Sequence, residues 1–278
     1  MNRVFISIGG FNIYWYSFLI FVAVLVGYEI AVVYSKKLKY STLDVMDMLF
    51  LMIVWGIIGA RLYYVIFNFD AFRDNFLDIF KVWEGGLAIY GGIIGGSLYI
   101  LYRCYKKKLS FIKILDIYSL SLLLGQAIGR WGNFFNSEAY GGITSYDSLK
   151  KMMIPEFIIK GMYIDGAYRE PLFLYESIWC LIGVIFIILI RKQYEYKEGR
   201  QIGFYLFWYG LGRFVIEWFR SDSLYIGKFK VSQVLSLILC IVGLVSLIVI
   251  SGKSNKRLRK SKNKSVSDSS GRISFKEE

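Results

Sequence analysis

The apolar residues of this chain gather in seven stretches of about 20 residues, at 12–34, 45–68, 86–102, 112–129, 172–190, 201–219 and 231–250. As helices, stretches of that length cross a hydrocarbon core of roughly 30 Å. Backbone surrounded by lipid must satisfy its own hydrogen bonds, so the pattern predicts helices and not open sheet. The third stretch is the shortest and is interrupted by glycine. The expected fold is an all-α integral membrane protein with about seven transmembrane helices. The first stretch is too long for the core of a signal peptide. It is followed by Tyr34-Ser35-Lys36-Lys37 and not by a small-residue cleavage site, so it is expected to remain as the first span.

Polar residues set the orientation. Segments 35–44, 103–111 and 191–200 hold eleven Lys/Arg in 29 residues, whereas 1–11, 69–85, 130–171 and 220–230 hold eleven in 81. The basic excess marks the cytoplasmic side, which places the N-terminus outside and the C-terminus in the cytoplasm. Residues 1–251 form the membrane domain. Residues 252–278, rich in Lys, Arg and Ser without an apolar period, are expected to be a disordered cytoplasmic tail. The longest extracytoplasmic segment is 130–171.

Composition adds exclusions. The chain is 56% hydrophobic and 18% aromatic with two prolines, which rules out a disordered chain. Its net charge of +13 follows membrane topology and does not point to a nucleic-acid partner. Histidine is absent, and Cys104, Cys180 and Cys240 lie in or beside three different stretches. Neither a zinc site nor a disulfide framework is expected.

The orientation brings several polar residues to the outer leaflet. Arg61 lies in the outer half of the second helix, Tyr90 at the start of the third, Arg130 at the end of the fourth, and Glu176 in the first turns of the fifth. Tyr209, Arg213, Glu217 and Arg220 recur at spacings of four, four and three, so they share one helix face. Ionisable groups inside a membrane are costly and mark functional sites by default. A cavity open to the outer leaflet that holds an anionic head group fits this set, because arginine presents a fork of donors to a phosphate. Two residues keep two readings. Arg61 either lines that cavity or locks helices together. Tyr90 either anchors at the interface or turns its hydroxyl inward. The glycines at 85, 86, 91, 92, 95 and 96 allow close helix packing or irregular backbone beside the cavity.

The run Gly129-Arg130-Trp131-Gly132-Asn133-Phe134-Phe135-Asn136-Ser137-Glu138-Ala139-Tyr140-Gly141 resembles the signature G-R-x-G-N-F-x-N-x-E-x-x-G of the bacterial phosphatidylglycerol–prolipoprotein diacylglyceryl transferase family. Further agreement lies in Trp15-Tyr16, Gly59-Ala60-Arg61, Trp83-Glu84-Gly85-Gly86, Pro171-Leu172-Phe173-Leu174-Tyr175-Glu176 and Tyr209-Gly210-Leu211-Gly212-Arg213-Phe214. The resemblance covers about residues 10–250. It implies a multi-pass enzyme of the bacterial plasma (inner) membrane. Such an enzyme moves the diacylglyceryl group of phosphatidylglycerol onto the lipobox cysteine thiol of a prolipoprotein signal peptide and releases glycerol phosphate. No metal or organic cofactor is implied.

On this resemblance Arg130 and Arg213 stabilise the leaving phosphate, and Tyr90 or Glu138 accepts the thiol proton. Asn133, Asn136, Tyr16, Arg61, Tyr209, Glu217 and Gly141 bind or position substrate. Some family members carry histidine at the position matched by Tyr90. The competing class is a transporter or lipid-binding membrane protein that uses the same cavity without chemistry, although the chain lacks the two related halves common among transporters.

Overall fold

Each of the seven apolar stretches is helical in the computed structural model, which describes residues 3–271 apart from 10, 74, 222 and 224. The helices at these stretches are α1 (Trp15–Lys37), α2 (Thr42–Phe67), α3 (Ile89–Lys107), α4 (Phe111–Asn136), α7 (Leu172–Gln193), α8 (Arg200–Trp218) and α9 (Val231–Gly271). Between α4 and α7 lie the short helices α5 (Tyr146–Lys151) and α6 (Glu156–Gly161). Length and apolarity qualify α1, α2, α4, α7 and residues Val231–Gly252 of α9 to cross a membrane, five helices where the sequence pattern suggests about seven. Glycine dilutes α3, and α8 carries Arg213 and Glu217 as well as three glycines.

Three short antiparallel sheets accompany the helices. The first pairs β1 (Val4–Ile8) with β2 (Phe11–Tyr14). The apolar run expected to begin the first span at 12 therefore starts as a strand, and helix begins at Trp15. Alternating Ile, Phe and Tyr suit a pleated ribbon. The second sheet has the order β3 (Ile143–Thr144), β5 (Ala167–Arg169), β4 (Tyr163–Ile164), and the third pairs β6 (Tyr225–Ile226) with β7 (Phe229–Lys230).

The chain forms two compact units, residues 24–121 and residues 1–23 with 122–278. In the first, α2 and α3 meet through glycine. A Cβ at Gly59 would overlap the Gly91 carbonyl, and one at Gly95 would overlap the carbonyl of Trp55. These glycines thus serve close helix packing. Val45, Met48, Ile114 and Ile117 are almost completely buried in this unit's core. Within it Tyr118 donates to the Val45 carbonyl at 2.8 Å and Ser121 to that of Gly27 at 2.7 Å.

In the second unit, α8 and α9 approach as closely. A Cβ at Gly243 would strike the Phe207 backbone, and one at Gly210 the Cys240 backbone. The segment between α4 and α7 has its own core, in which Leu149, Ile158, Ile159 and Met162 pack with Phe134 and Phe173. The Tyr146 hydroxyl donates to Glu156 at 2.9 Å across the α5–α6 turn, and that bond raises its phenol above the ordinary value. At the other end, α9 stays helical through Gly271, where the composition suggests a disordered tail from 252. Extending a helix already nucleated by the apolar span avoids the cost of a new nucleus.

Candidate functional site

The signature run forms the end of α4 and the turn after it. Arg130 and Asn133 are one turn apart on the helix, and Arg130 Nη1 donates to Asn133 Oδ1 at 3.3 Å. Ser137 and Ala139 both adopt left-handed backbone with φ of 56°. That conformation is uncommon outside glycine and is kept where surrounding contacts enforce it. It folds the chain back so that Glu138 Oε1 accepts from the amides of Asn133 at 2.8 Å and Asn136 at 3.3 Å. Both bonds use the same carboxylate oxygen.

Gly141 closes the turn. Its N–H donates to the Glu170 carbonyl at 3.0 Å, and it bridges to Arg220 in an antiparallel pair. A Cβ there would press on the Glu170 and Leu172 side chains. The signature is thereby tied to Glu170, two residues before α7, and to the chain just past α8.

Those two helices supply the partners of Arg130. Its Nη2 lies 2.7 Å from Glu176 Oε1 on α7. The second oxygen of Glu176 lies 3.0 Å from Arg213 Nη1 on α8. Arg213 Nη2 reaches Glu217 Oε2 at 2.7 Å, and Arg220 Nη1 stands 3.8 Å from that same oxygen. Five charged side chains thus alternate in sign along a continuous chain. The Glu217 side chain is fully buried and that of Glu176 is 4% exposed, whereas Arg130 retains 20% and Arg213 10%. Carboxylates buried this deeply persist when paired with opposite charge, as these two are. They hold the guanidinium groups in place, and the arginines keep an open side. Lys230 adds its ammonium to the end of α8, donating to the carbonyls of Glu217 at 2.7 Å and Arg220 at 3.1 Å. A cation at a helix C-terminus offsets the dipole there.

Aromatic residues frame this chain. Tyr209 stands beside Glu176, Arg130 and Arg213. Trp15 stacks on Phe135 with centroids 4.5 Å apart, and the Tyr16 ring fills the place that a Cβ at Gly132 would take. Nine of the residues singled out from sequence lie in this unit: Tyr16, Arg130, Asn133, Asn136, Glu138, Gly141, Tyr209, Arg213 and Glu217. The joint between Arg130 and Arg213 is Glu176. Sequence reading assigned it only to the outer leaflet and a family-like stretch, without a task.

Arg61 and Tyr90 belong to the other unit. Arg61 donates to four carbonyls, those of Asp78 at 2.6 Å, Ile79 at 2.8 Å, Gly85 at 2.7 Å and Gly86 at 3.0 Å. Its guanidinium holds the loop between α2 and α3, which favours the locking reading over a place in a head-group pocket. Tyr90 sits in the first turn of α3, about one-third exposed, with the Tyr63 ring 6.5 Å away. Among the described residues no three His, Cys, Asp or Glu side chains gather as metal ligands.

Guanidinium forks fixed by buried carboxylates, with asparagine amides alongside, have the donors that a phosphate accepts from. The sequence model of the prolipoprotein diacylglyceryl transferase family matches residues 3–249. Three similar proteins all carry the name phosphatidylglycerol–prolipoprotein diacylglyceryl transferase. That of Halalkalibacterium halodurans is 44% identical over 88% of this chain and 85% of its own. That of Listeria innocua is 43% identical over 92% of each chain. That of Staphylococcus haemolyticus is 45% identical over 87% of this chain and 86% of its own. With nearly the whole apolar region matched and the signature built into the arginine–carboxylate array, the chain belongs to the prolipoprotein diacylglyceryl transferase family.

Proposed function

We infer that this protein transfers the diacylglyceryl group of phosphatidylglycerol to the cysteine thiol of a prolipoprotein. The observation that carries the reading is the ion-paired chain from Arg130 through Glu176, Arg213 and Glu217 to Arg220, assembled around the family signature. The thiolate sulfur attacks the glycerol carbon that bears the phosphate. A carbon–sulfur bond forms, the carbon–oxygen bond breaks, and glycerol phosphate leaves with the bonding pair. Negative charge grows on the leaving oxygen, and Arg130 and Arg213 stabilise it, with Asn133 and Asn136 as neighbouring donors. The nucleophile belongs to the substrate, so no enzyme cysteine is needed.

Glu138 takes the thiol proton in this scheme. Asn133 and Asn136 fix its Oε1, and Oε2 is left for the thiol. Glu217 orients Arg213, Gly141 fixes the signature turn, and Tyr16 and Tyr209 line the lipid head-group site. Arg61 secures the loop that precedes α3, and Tyr90 lines the interface. The protein is a multi-pass enzyme of the bacterial plasma membrane, with seven crossings, the N-terminus outside and the C-terminus in the cytoplasm. The lipobox segment of the signal peptide enters sideways from the lipid. Residues 1–251 carry the activity, without a cofactor.

The deciding experiment incubates purified protein with phosphatidylglycerol and a peptide bearing a lipobox cysteine. Release of glycerol phosphate that requires the cysteine, together with a thioether-linked lipid on the peptide, supports the transferase. Lipid binding without release would favour a transporter or lipid carrier.

A further inference from the structure

Two helices end at the proposed phosphate site and one begins there. Arg130, Asn133 and Asn136 lie in the last two turns of α4, Arg213 and Glu217 in the last two turns of α8, and Glu176 in the second turn of α7. A helix C-terminus carries about half a negative charge on its unsatisfied carbonyls, and an N-terminus about half a positive one. Two of these three helix ends therefore oppose an anion. At α4 the chain closes its own end, where the carbonyls of Phe134 and Asn133 accept from the N–H groups of Ser137 and Glu138, both at 3.1 Å. At α8 a cation does so. Lys230 Nζ lies 2.7 Å from the Glu217 carbonyl, 3.1 Å from that of Arg220 and 3.4 Å from that of Trp218. The three protons of one ammonium thus face three carbonyls. Lys230 comes from outside the helix, on a hairpin that turns at Gly227 with φ of 61° and pairs Tyr225 with Lys230. Among the described residues its hydrogen bonds go to carbonyls and not to a carboxylate, so its charge faces the helix end itself.

We propose that Lys230 is a positioning residue for the transfer, one that sets the affinity for the anionic lipid. This rests on the transferase reading, in which the lipid phosphate sits at Arg130 and Arg213. Lys230 gathers the carbonyls at the end of α8 and so holds the backbone of Glu217 and Arg220. Those two side chains meet Arg213 at Glu217 Oε2. Its charge also offsets the negative end of α8, which would otherwise push back the phosphate that Arg213 is placed to receive. A full positive charge faces about half a negative one, so the capped end favours an anion where the bare end would oppose it. The effect falls on the lipid and not on the peptide, because the head group is anionic and the lipobox segment is apolar.

The test uses the whole protein in mixed micelles with phosphatidylglycerol and a lipobox peptide, and reads glycerol phosphate release while each substrate is varied in turn. Lys230→Met keeps the length and loses the charge. It should raise KM for phosphatidylglycerol about two- to fivefold, the scale of one charge at a helix end, and leave KM for the peptide unchanged. Lys230→Gln keeps donors without charge and should show the same rise, so it decides the matter if the Met variant fails to insert. Lys230→Arg keeps the charge and should stay within about twofold of wild type. A purely structural part would lower the fraction of active enzyme, and hence kcat, while both KM values stay at their wild-type level. That result overturns the proposal, and so does a Lys230→Arg protein as impaired toward the lipid as Lys230→Met. Failure of wild-type protein to release glycerol phosphate would instead overturn the transferase reading itself.

Discussion

Trp179 and Trp208 each donate the indole N–H to the other's backbone carbonyl, both at 2.9 Å, across rings stacked 4.3 Å apart. Gly212 and Gly183 make room for them, since a Cβ at either would overlap an indole. Trp179 lies one turn beyond Glu176 on α7. The reciprocal pair therefore fixes the rotation of α7 against α8, and with it the meeting of Glu176 and Arg213.

Replacing either tryptophan by phenylalanine should cost about 1–3 kcal/mol of stability through the lost hydrogen bond and poorer packing. Turnover should fall severalfold as the Glu176–Arg213 geometry loosens. Thermal melting in detergent measures the first effect and glycerol phosphate release the second. Trp179→Phe/Trp208→Phe should be less damaging than the two single losses added, because both remove one shared contact. Strict additivity would argue against the lock.

Arg213→Ala should lower turnover by about 10²–10³, the scale for loss of one donor to a developing charge. It also leaves Glu176 and Glu217 facing each other without the cation between them. Arg213→Lys should recover only part, since one ammonium cannot span both carboxylates. Glu176→Gln should lower kcat more than KM by disordering both arginines. Wild-type kinetics in an inserted Glu176→Gln protein would remove Glu176 from the site.

Glu138→Gln and Tyr90→Phe separate the two candidates for the thiol proton. Glu138→Gln should cost about 10²-fold near neutral pH, as expected for a lost general base. Its rate should recover in part as pH rises toward the free-thiol value of about 8.5, where the thiol ionises unaided. Tyr90→Phe should stay within a few-fold of wild type with a parallel pH profile. The reverse pattern would transfer the role to Tyr90.

Deleting residues 256–278 should leave turnover within a few-fold of the full chain, because the proposed topology puts that segment across the membrane from the site. A truncated protein that inserts but does not turn over would show that the tail takes part.

Periodic features of this molecule were legible in its sequence. Tyr209, Arg213 and Glu217 read as one face because helical spacing is local, and Arg213 does pair with Glu217. The Arg130 signature could be read as a polar cluster because four polar side chains crowd one short run. Glu176 was harder, since its two partners sit 46 and 37 positions away and no period connects them. Arg61 kept two readings in the sequence because its acceptors are backbone carbonyls, which side-chain identity does not reveal. Nothing in the sequence connects Trp179 with Trp208, which stand 29 positions apart. The hairpin at 4–14 merged with the first apolar stretch, because aromatic and branched residues favour strand yet also suit a membrane helix.

The proposed phosphate site is lined by two guanidinium groups, Arg130 and Arg213, held by Glu176 and Glu217. The head group of phosphatidylglycerol, a phosphodiester, brings a single negative charge to them. The glycerol phosphate that departs is a monoester, with a charge of about −1.5 to −2 near neutral pH. The array should therefore grip its product more tightly than the lipid it came from. Escape of glycerol phosphate would then set the pace of the cycle, and added glycerol phosphate or inorganic phosphate should inhibit in competition with lipid.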